Sequence, residues 1–565
     1  MRKYIFFYCV LVGINVTAQS NQTIKKLAQP SAVQYKWHEQ ERIMFIHFGV
    51  ATWLGQEYDD YGKFDLSRIN PTQLNTDEWC EVAKSWGAKG IIFVAKHVGG
   101  FCWWPTKTTE YSVRNIPWKN GKGDLLRDIA ASCKKAGLNL GVYIYPGDVS
   151  FGAGIGSGGK TTDPNLQEAY NKVFRQQLTE VLANYGNMLE VWFDGNCIID
   201  VSDILKKYAS NSVIFQSKQA TIRWPGTESG MLSYPAWNTV SAKKLHLGLA
   251  TQYDDDPNGD AWAPLESNLP LYDHNWFWNP TNEKKRKSLE HLMEVYYKSV
   301  GYGSLMLLNS TPDTSGKIPA GDALRYKELG TEINRRFNRA IDSVTNRKGT
   351  SVVIPLKSPT AINHIVWGEE YRLGHRIRKY TVEGKENGIW KILATGSSVG
   401  RKKIESFETT TVSSLRLRVA ASAANPIINT IKWYNVKDFV LPIEQKMAAQ
   451  WTTCGNWDTK TFKAGIDTIE IDCSFYIQQP GQYEVKFVQD VAVTGTSVKE
   501  AVLTIDNQNT MQSYLTRKGY DVFYINRTSQ ISNNSSTKIK FIMHSDNASF
   551  QNRGRFILRK RTVND

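Results

Sequence analysis

The sequence is poor in the features that staple, anchor or metallate a chain. Seven cysteines are spread over 565 residues. None forms a Cys-x-x-Cys pair, which argues against a zinc site, and their wide scatter is not a disulfide framework. Most read as small buried hydrophobes; Cys454 and Cys473 alone invite a bridge in an oxidising compartment. No apolar run reaches the about 20 residues that a membrane-spanning helix needs, so no integral segment is expected in the mature chain. There is no internal repeat. Gly152 to Gly159 is glycine-rich but lacks the Gly-Lys-Ser/Thr ending of a phosphate cradle, and no HExxH-like spacing links His47, His97 and Asp194. Neither a metal nor a cofactor is expected. The net charge is +15, yet the basic residues are scattered in short runs such as Lys284-Lys285-Arg286-Lys287, without a DNA- or RNA-binding motif, so nucleic acid is not an expected partner.

What the sequence does hold is aromatic surface and a repeating pattern. Eighteen Trp and 26 Tyr exceed ordinary usage, an excess that often lines sugar or base surfaces. Arg2-Lys3, an apolar stretch from Ile5 to Val16 and Val16-Thr17-Ala18 read as a secretory leader over 1–18, which predicts an exported protein, periplasmic or extracellular. From 32 to 346 short apolar strands (43–49, 91–97, 138–145, 189–195, 212–216, 246–252, 304–309) alternate with helical stretches (76–86, 124–136, 165–184). That alternation predicts a parallel sheet, and its length suits a (β/α)8-type barrel. Thr76 is positioned to cap its helix and Gly137 to end the next. After Gly349 the pattern becomes short alternating strands with turns. Two all-β sandwich domains, at 350–437 and 438–565, are expected there.

Polar residues recur where barrel strands end: His47, His97, Asp148 and Asp194. In a barrel the C-terminal strand ends converge on one mouth, which would make these distant residues neighbours. Trp192-Phe193-Asp194-Gly195 is the sharpest segment. A carboxylate ending a buried strand can act as a nucleophile toward a sugar anomeric carbon, or else serve as a helix cap or ion-pair partner. Its partner acid would come from Glu228, within Arg223-Trp224-Pro225-Gly226-Thr227-Glu228, or Glu266, within Trp262-Ala263-Pro264-Leu265-Glu266. Both lie in aromatic, proline-containing stretches where burial could raise a carboxyl pKa. His47, Glu57 and His97 could hydrogen-bond sugar hydroxyls.

Taken in order, His47-Phe48-Gly49, Lys96-His97-Val98-Gly99-Gly100-Phe101-Cys102-Trp103-Trp104, Gly121-Lys122-Gly123-Asp124, Gly141-Val142-Tyr143, Trp192-Phe193-Asp194-Gly195 and Leu307-Leu308-Asn309 resemble glycoside hydrolase family twenty-nine, the α-L-fucosidases. The resemblance implies a retaining double displacement with Asp194 as nucleophile. It implies Glu228 as acid/base, in a loop like that of the subgroup favouring α-1,3/1,4-linked fucose, with Glu266 as runner-up. It also implies that His47, Glu57, His97, Tyr143, Trp192 and Glu266 bind substrate, and that the partners are fucosylated oligosaccharides or glycoconjugates. There are departures from it: Val98 stands where the family has a second His, Gly99 where it has Asp, and Tyr145-Pro146-Gly147-Asp148 where it has Ser-Pro-Trp-Asp. A glycosidase for a related sugar, or a non-catalytic glycan-binding protein, are the alternative expectations. In the tail, Gly374-His375-Arg376-Ile377, Trp390-Lys391-Ile392 and Leu415-Arg416-Leu417-Arg418 resemble a discoidin (factor 5/8 type C) domain.

Overall fold

The computed structural model describes residues 27–59 and 63–441, and beyond them the backbone of the strands between 452 and 560. The leader at 1–18 lies outside the described residues, as do the side chains of Cys454 and Cys473. Cys80, Cys102, Cys133 and Cys197 are free and buried.

Helix α1 (Ala32–His38) opens on a reciprocal cap between Ser31 and Gln34, and delivers Trp37 into the base of a curled parallel sheet. That sheet comprises β1 (Arg42–Ile46), β2 (Gly90–Lys96), β3 (Asn139–Ile144), β4 (Glu190–Trp192), β5 (Val213–Phe215), β8 (Glu266–Leu269) and β9 (Leu305–Ser310). Its order is β5-β4-β3-β2-β1-β9-β8. A separate two-stranded ladder, β6 (Thr239–Val240) with β7 (Ala261–Trp262), lies in the insertion before β8. Helices α2 (Val50–Leu54), α3 (Thr76–Ser85), α4 (Leu125–Ala136), α5 (Gln167–Asn184), α6 (Ser202–Tyr208), α7 (Ala242–Leu245), α8 (Leu289–Lys298) and α9 (Ala320–Phe337) complete this unit.

Three expectations are corrected. Seven strands, not eight, make the described ladder. Where an eighth strand would join β5 to β8, Ile222 and Arg223 make isolated parallel bridges to Phe215 and Leu265. Pro225 supplies no amide donor and Gly226 turns at φ +93°, so that segment cannot continue as a strand. Residues 246–252 are likewise not a strand. Gly248 takes φ +81°, and Leu247 and Leu249 stay exposed. The cap of α3 is Asn75, whose side chain accepts from the Asp77 N–H, while the Thr76 hydroxyl turns instead to Ser132, 2.7 Å away. Gly137 ends α4 at φ +70°, the left-handed geometry that suits glycine.

Side-chain parity builds the site. Strands buried on both faces send alternate residues inward and outward. Met44, Ile46, Ile91, Phe93, Val142, Ile144, Val191 and Phe193 pack outward with the helices. Ile43, Phe45, Ile92, Val94, Tyr143 and Trp192 pack inward around Trp37. Extending the inward series by one step delivers His47 from β1, Tyr145 from β3 and Asp194 from β4 to the same end. On β2 the register with β3 shifts between Val94 and Lys96. The extra residue turns Lys96 outward to Tyr170 and Gln177, and His97 comes inward.

The following unit is one antiparallel sheet of six strands, where a sandwich was expected. It contains β10 (Asp342–Lys348), β11 (Ser351–Glu369), β12 (Ile377–Glu386), β13 (Ile389–Gly396), β14 (Lys403–Ser422) and β15 (Ile427–Tyr434), in the order β10-β15-β11-β14-β12-β13. Register shifts interrupt the β11–β14 pairing twice, which is how one sheet of long strands bends around a core containing Ile362, Trp367, Tyr380 and Leu415. It is joined to the first unit by the Ile404 N–H, which donates to the Gly301 carbonyl at 3.0 Å. Glu41 adds to that junction, accepting from Tyr296 Oη at 2.8 Å, Arg401 Nη2 at 2.8 Å and Lys402 Nζ. The last strands, β16 (Thr452–Asp472), β17 (Gly481–Gln489), β18 (Thr496–Ile505), β19 (Gln508–Met511), β20 (Ser513–Arg517), β21 (Tyr520–Arg527) and β22 (Thr537–Lys560), form a further antiparallel sheet in which β22 pairs with β16, β17 and β18.

Candidate active site

Asp194 stands at the C-terminal end of β4, and Gly195 turns the chain at once with φ +69°. Its Oδ2 accepts from Tyr143 Oη at 3.0 Å. Burial, followed by the nearby charge of Glu228, raises its pKa to about 6, against the pull of the Tyr143 hydrogen bond. Glu228 lies on the exposed loop after Arg223, and its Oε2 accepts from the Trp276 indole N–H at 3.1 Å. Glu57, half-buried, accepts from Asn275 Nδ2 at 2.7 Å and from the Trp276 backbone N–H at 2.6 Å. Its pKa is raised, chiefly by burial. One tryptophan thus holds two carboxylates, one through its ring and one through its backbone.

The histidines are neutral. Burial drives His47 and His97 each down to about 3. Asn309 Nδ2 donates to the Trp276 carbonyl at 2.9 Å, which orients the amide so that its Oδ1 accepts from His47 Nδ1 at 2.7 Å. His47 therefore carries its proton on Nδ1 and keeps Nε2 as an acceptor. The His97 ring lies 14° from parallel to Tyr143 at 5.8 Å, and its buried Nδ1 has no hydrogen-bond partner. Beside it a small hollow is lined by Phe48, Val94, Asp59, Phe101 and Phe277.

The structure brings Asp194, Glu228, His47, Glu57, His97, Tyr143 and Trp192 to one end of the sheet. Glu266 is elsewhere. It is fully buried inside the sheet on β8, where its Oε1 accepts from Trp192 Nε1 at 2.8 Å. It pairs with Glu190, whose carboxyl accepts from Trp37 Nε1 at 2.7 Å. Burial pushes Glu266 up to about 7 and Glu190 well above the usual carboxylate range. This pair sits beneath Trp192 and supports it. Asp148 is also structural, 3.7 Å from Lys96 Nζ and accepting from Ser150 N–H at 3.0 Å. Val98 is buried with Val94, Tyr143 and Tyr145.

Gly99 has a spatial explanation. A Cβ there would lie 2.2 Å from Asp59 Oδ2. Asp59, which accepts from Tyr111 Oη at 2.7 Å, thus puts a carboxyl group where a side chain at position 99 would go. Sequence reading missed Trp276 and Asp59, because both come from loops without periodicity. Trp276 sits in Asn275-Trp276-Phe277-Trp278, an aromatic cluster that was the available signal. Many other tryptophans are simply core: Trp37, Trp79, Trp86, Trp103, Trp104 and Trp367 are fully buried. Among the described residues no cluster of His, Cys, Asp or Glu could hold a metal ion, and no helix is long and apolar enough to cross a membrane.

The family model described as Alpha-L-fucosidase matches residues 12–336, a span that contains every residue of this site. The chain belongs to the alpha-L-fucosidase family. Similar members include Alpha-L-fucosidase 1 of Arabidopsis thaliana, 28% identical over 483 residues that make up 76% of this chain and 93% of the relative. A crystal structure from Bacteroides thetaiotaomicron VPI-5482, provisionally assigned as an alpha-L-fucosidase, is 35% identical with a TM-score of 0.68. It covers 73% of this chain and 100% of that one. A glycoside hydrolase 29 member from an unknown rumen bacterium is 28% identical with a TM-score of 0.65, over 95% of this chain and 97% of that one. Membership makes the chain a glycoside hydrolase of the α-L-fucosidase type, with fucosylated glycans as the substrate class.

Proposed function

We propose that the protein is a retaining exo-glycosidase that releases terminal α-L-fucose, from α-1,3/1,4 linkages, by double displacement. The observation that carries this reading is Asp194, at the end of β4, hydrogen-bonded by Tyr143 and close enough to Glu228 to feel its charge. In the first step an Asp194 oxygen attacks the anomeric carbon while Glu228 gives its proton to the departing oxygen, leaving a glycosyl ester. In the second step Glu228 takes a proton from water, which displaces the carboxylate and restores the starting anomeric configuration. His47 Nε2, His97, Glu57 and Tyr143 meet sugar hydroxyls and Trp276 offers a ring face, while Trp192, stacked between Tyr143 and Phe215, backs them from within the sheet. The neighbouring β-sheet unit, with its discoidin-like motifs, is proposed to bind glycans. The basic-then-apolar N-terminus supports export, which the N-terminal residue of the mature protein would establish.

The test is chemical. A 2-deoxy-2-fluoro-fucosyl fluoride should label Asp194 covalently, seen as a mass shift on its peptide. Glu228→Ala should lose rate most with poor leaving groups and regain rate with azide. Label on another carboxylate, or azide rescue of Glu266→Ala instead, would overturn the assignment.

A further inference from the structure

We propose that the rim beside Glu228 is a leaving-group subsite that holds a pyranose by its apolar face, with the Tyr253 ring as the platform. The inference rests on the reading of Glu228 as the acid, because that residue defines which side of the bond departs. Tyr253, Leu249 and Leu247 are 53%, 53% and 62% exposed, and Ile198 and Ile155 are 46% and 53% exposed. They occupy neighbouring loops of one mouth. Gly156, next to Ile155, approaches Gly195, and Gly158 meets Ile198. Gly248, between the two leucines, meets Asn196. The Tyr253 ring lies over Gly226, where a Cβ would be 3.1 Å from its Cε2, two residues before Glu228.

Isolated surface leucines need no explanation, but five exposed apolar residues on neighbouring loops do. The turn that carries Tyr253 is also held in place. Arg223, buried, donates from Nε to Ala263 O at 2.9 Å, from Nη1 to Thr251 O at 2.6 Å, and from Nη2 to Trp237 O at 2.7 Å and Asp255 Oδ1 at 2.9 Å. One guanidinium therefore ties the root of the Glu228 loop to the 251–255 turn that carries Tyr253. That turn is itself closed by a reciprocal cap between Thr251 and Asp254. A side chain carried on a backbone fixed before the ligand arrives loses less freedom on binding, and the exposed apolar face of Tyr253 is available for stacking. The ring hydrogens of a pyranose supply the matching face.

The experiment compares α-L-fucosyl fluoride, whose leaving group is a single atom, with a fucosylated trisaccharide. Tyr253→Ala and Leu249→Ser should leave fluoride turnover within about twofold of the parent. Each should cut kcat/KM for the trisaccharide about tenfold, mainly through KM, and Tyr253→Trp should retain it. Fluoride turnover doubles as the check on folding. Equal loss on both substrates, or no loss on the trisaccharide, would overturn the subsite. A parent protein inactive on the fluoride would overturn the fucosidase reading itself.

Discussion

Asp194 shows how one residue's environment couples stability to reactivity. Its carboxyl ionises near 3.8 when exposed and near 6 in the folded site. As pH rises through that window the unfolded chain loses its proton first, so the folded state is progressively disfavoured. The cost at neutral pH is about 2–3 kcal/mol. Asp194→Asn, which cannot titrate, should be inactive yet more stable than the parent at neutral pH by about that amount, with the difference vanishing below about pH 4. Thermal unfolding across pH reads this directly; an equal or lower melting temperature at neutral pH would show that the site does not strain the carboxylate. The parent's kcat/KM should lose activity on its acid side near pH 6 as Asp194 takes up its proton. His47 and His97, neutral down to about 3, add no charge change of their own above that.

At the level of strands and loops, much of the site was legible in the sequence. Inward parity on β1, β3 and β4 follows from alternation, and it carries His47, Tyr143, Trp192 and Asp194 together. The shift that turns Lys96 outward and His97 inward is a pairing event between β2 and β3, so no pattern within one strand announces it. Nor does Glu266 declare itself: a carboxylate at a strand start reads the same whether it faces the mouth or supports a tryptophan from below. The Asp59–Gly99 pair is non-local, with one member in the loop after α2 and the other after β2. It makes a clear expectation. Gly99→Ala drives a methyl group into the Asp59 carboxyl at 2.2 Å and should destabilise the protein by about 1–3 kcal/mol. Adding Asp59→Gly should recover only part of that loss, because the Asp59 backbone carbonyl would still lie 2.4 Å from the added carbon. Additive penalties in chemical denaturation would show that the two residues do not share one space.

Across the whole molecule, the parallel and antiparallel units meet around Glu41, whose side chain is 15% exposed while its partner Arg401 is 9% exposed. Burial already pulls Lys402 down to about 8, so the cluster holds two cations that depend on one carboxylate. Glu41→Ala should cost about 3 kcal/mol by leaving both without it. It should also split a single melting transition into two, as recorded by calorimetry; an unchanged single transition would mean that the other contacts across the junction, such as Ile404 N–H to Gly301 O and Tyr371 Oη to Glu39, suffice to couple the units. The same junction bears on anyone trimming the gene. A fragment stopped near the end of α9 would keep every residue proposed for chemistry, yet it would present solvent with a stranded acid and an uncovered seam, and it would need surface redesign before its turnover could be compared fairly with that of the parent.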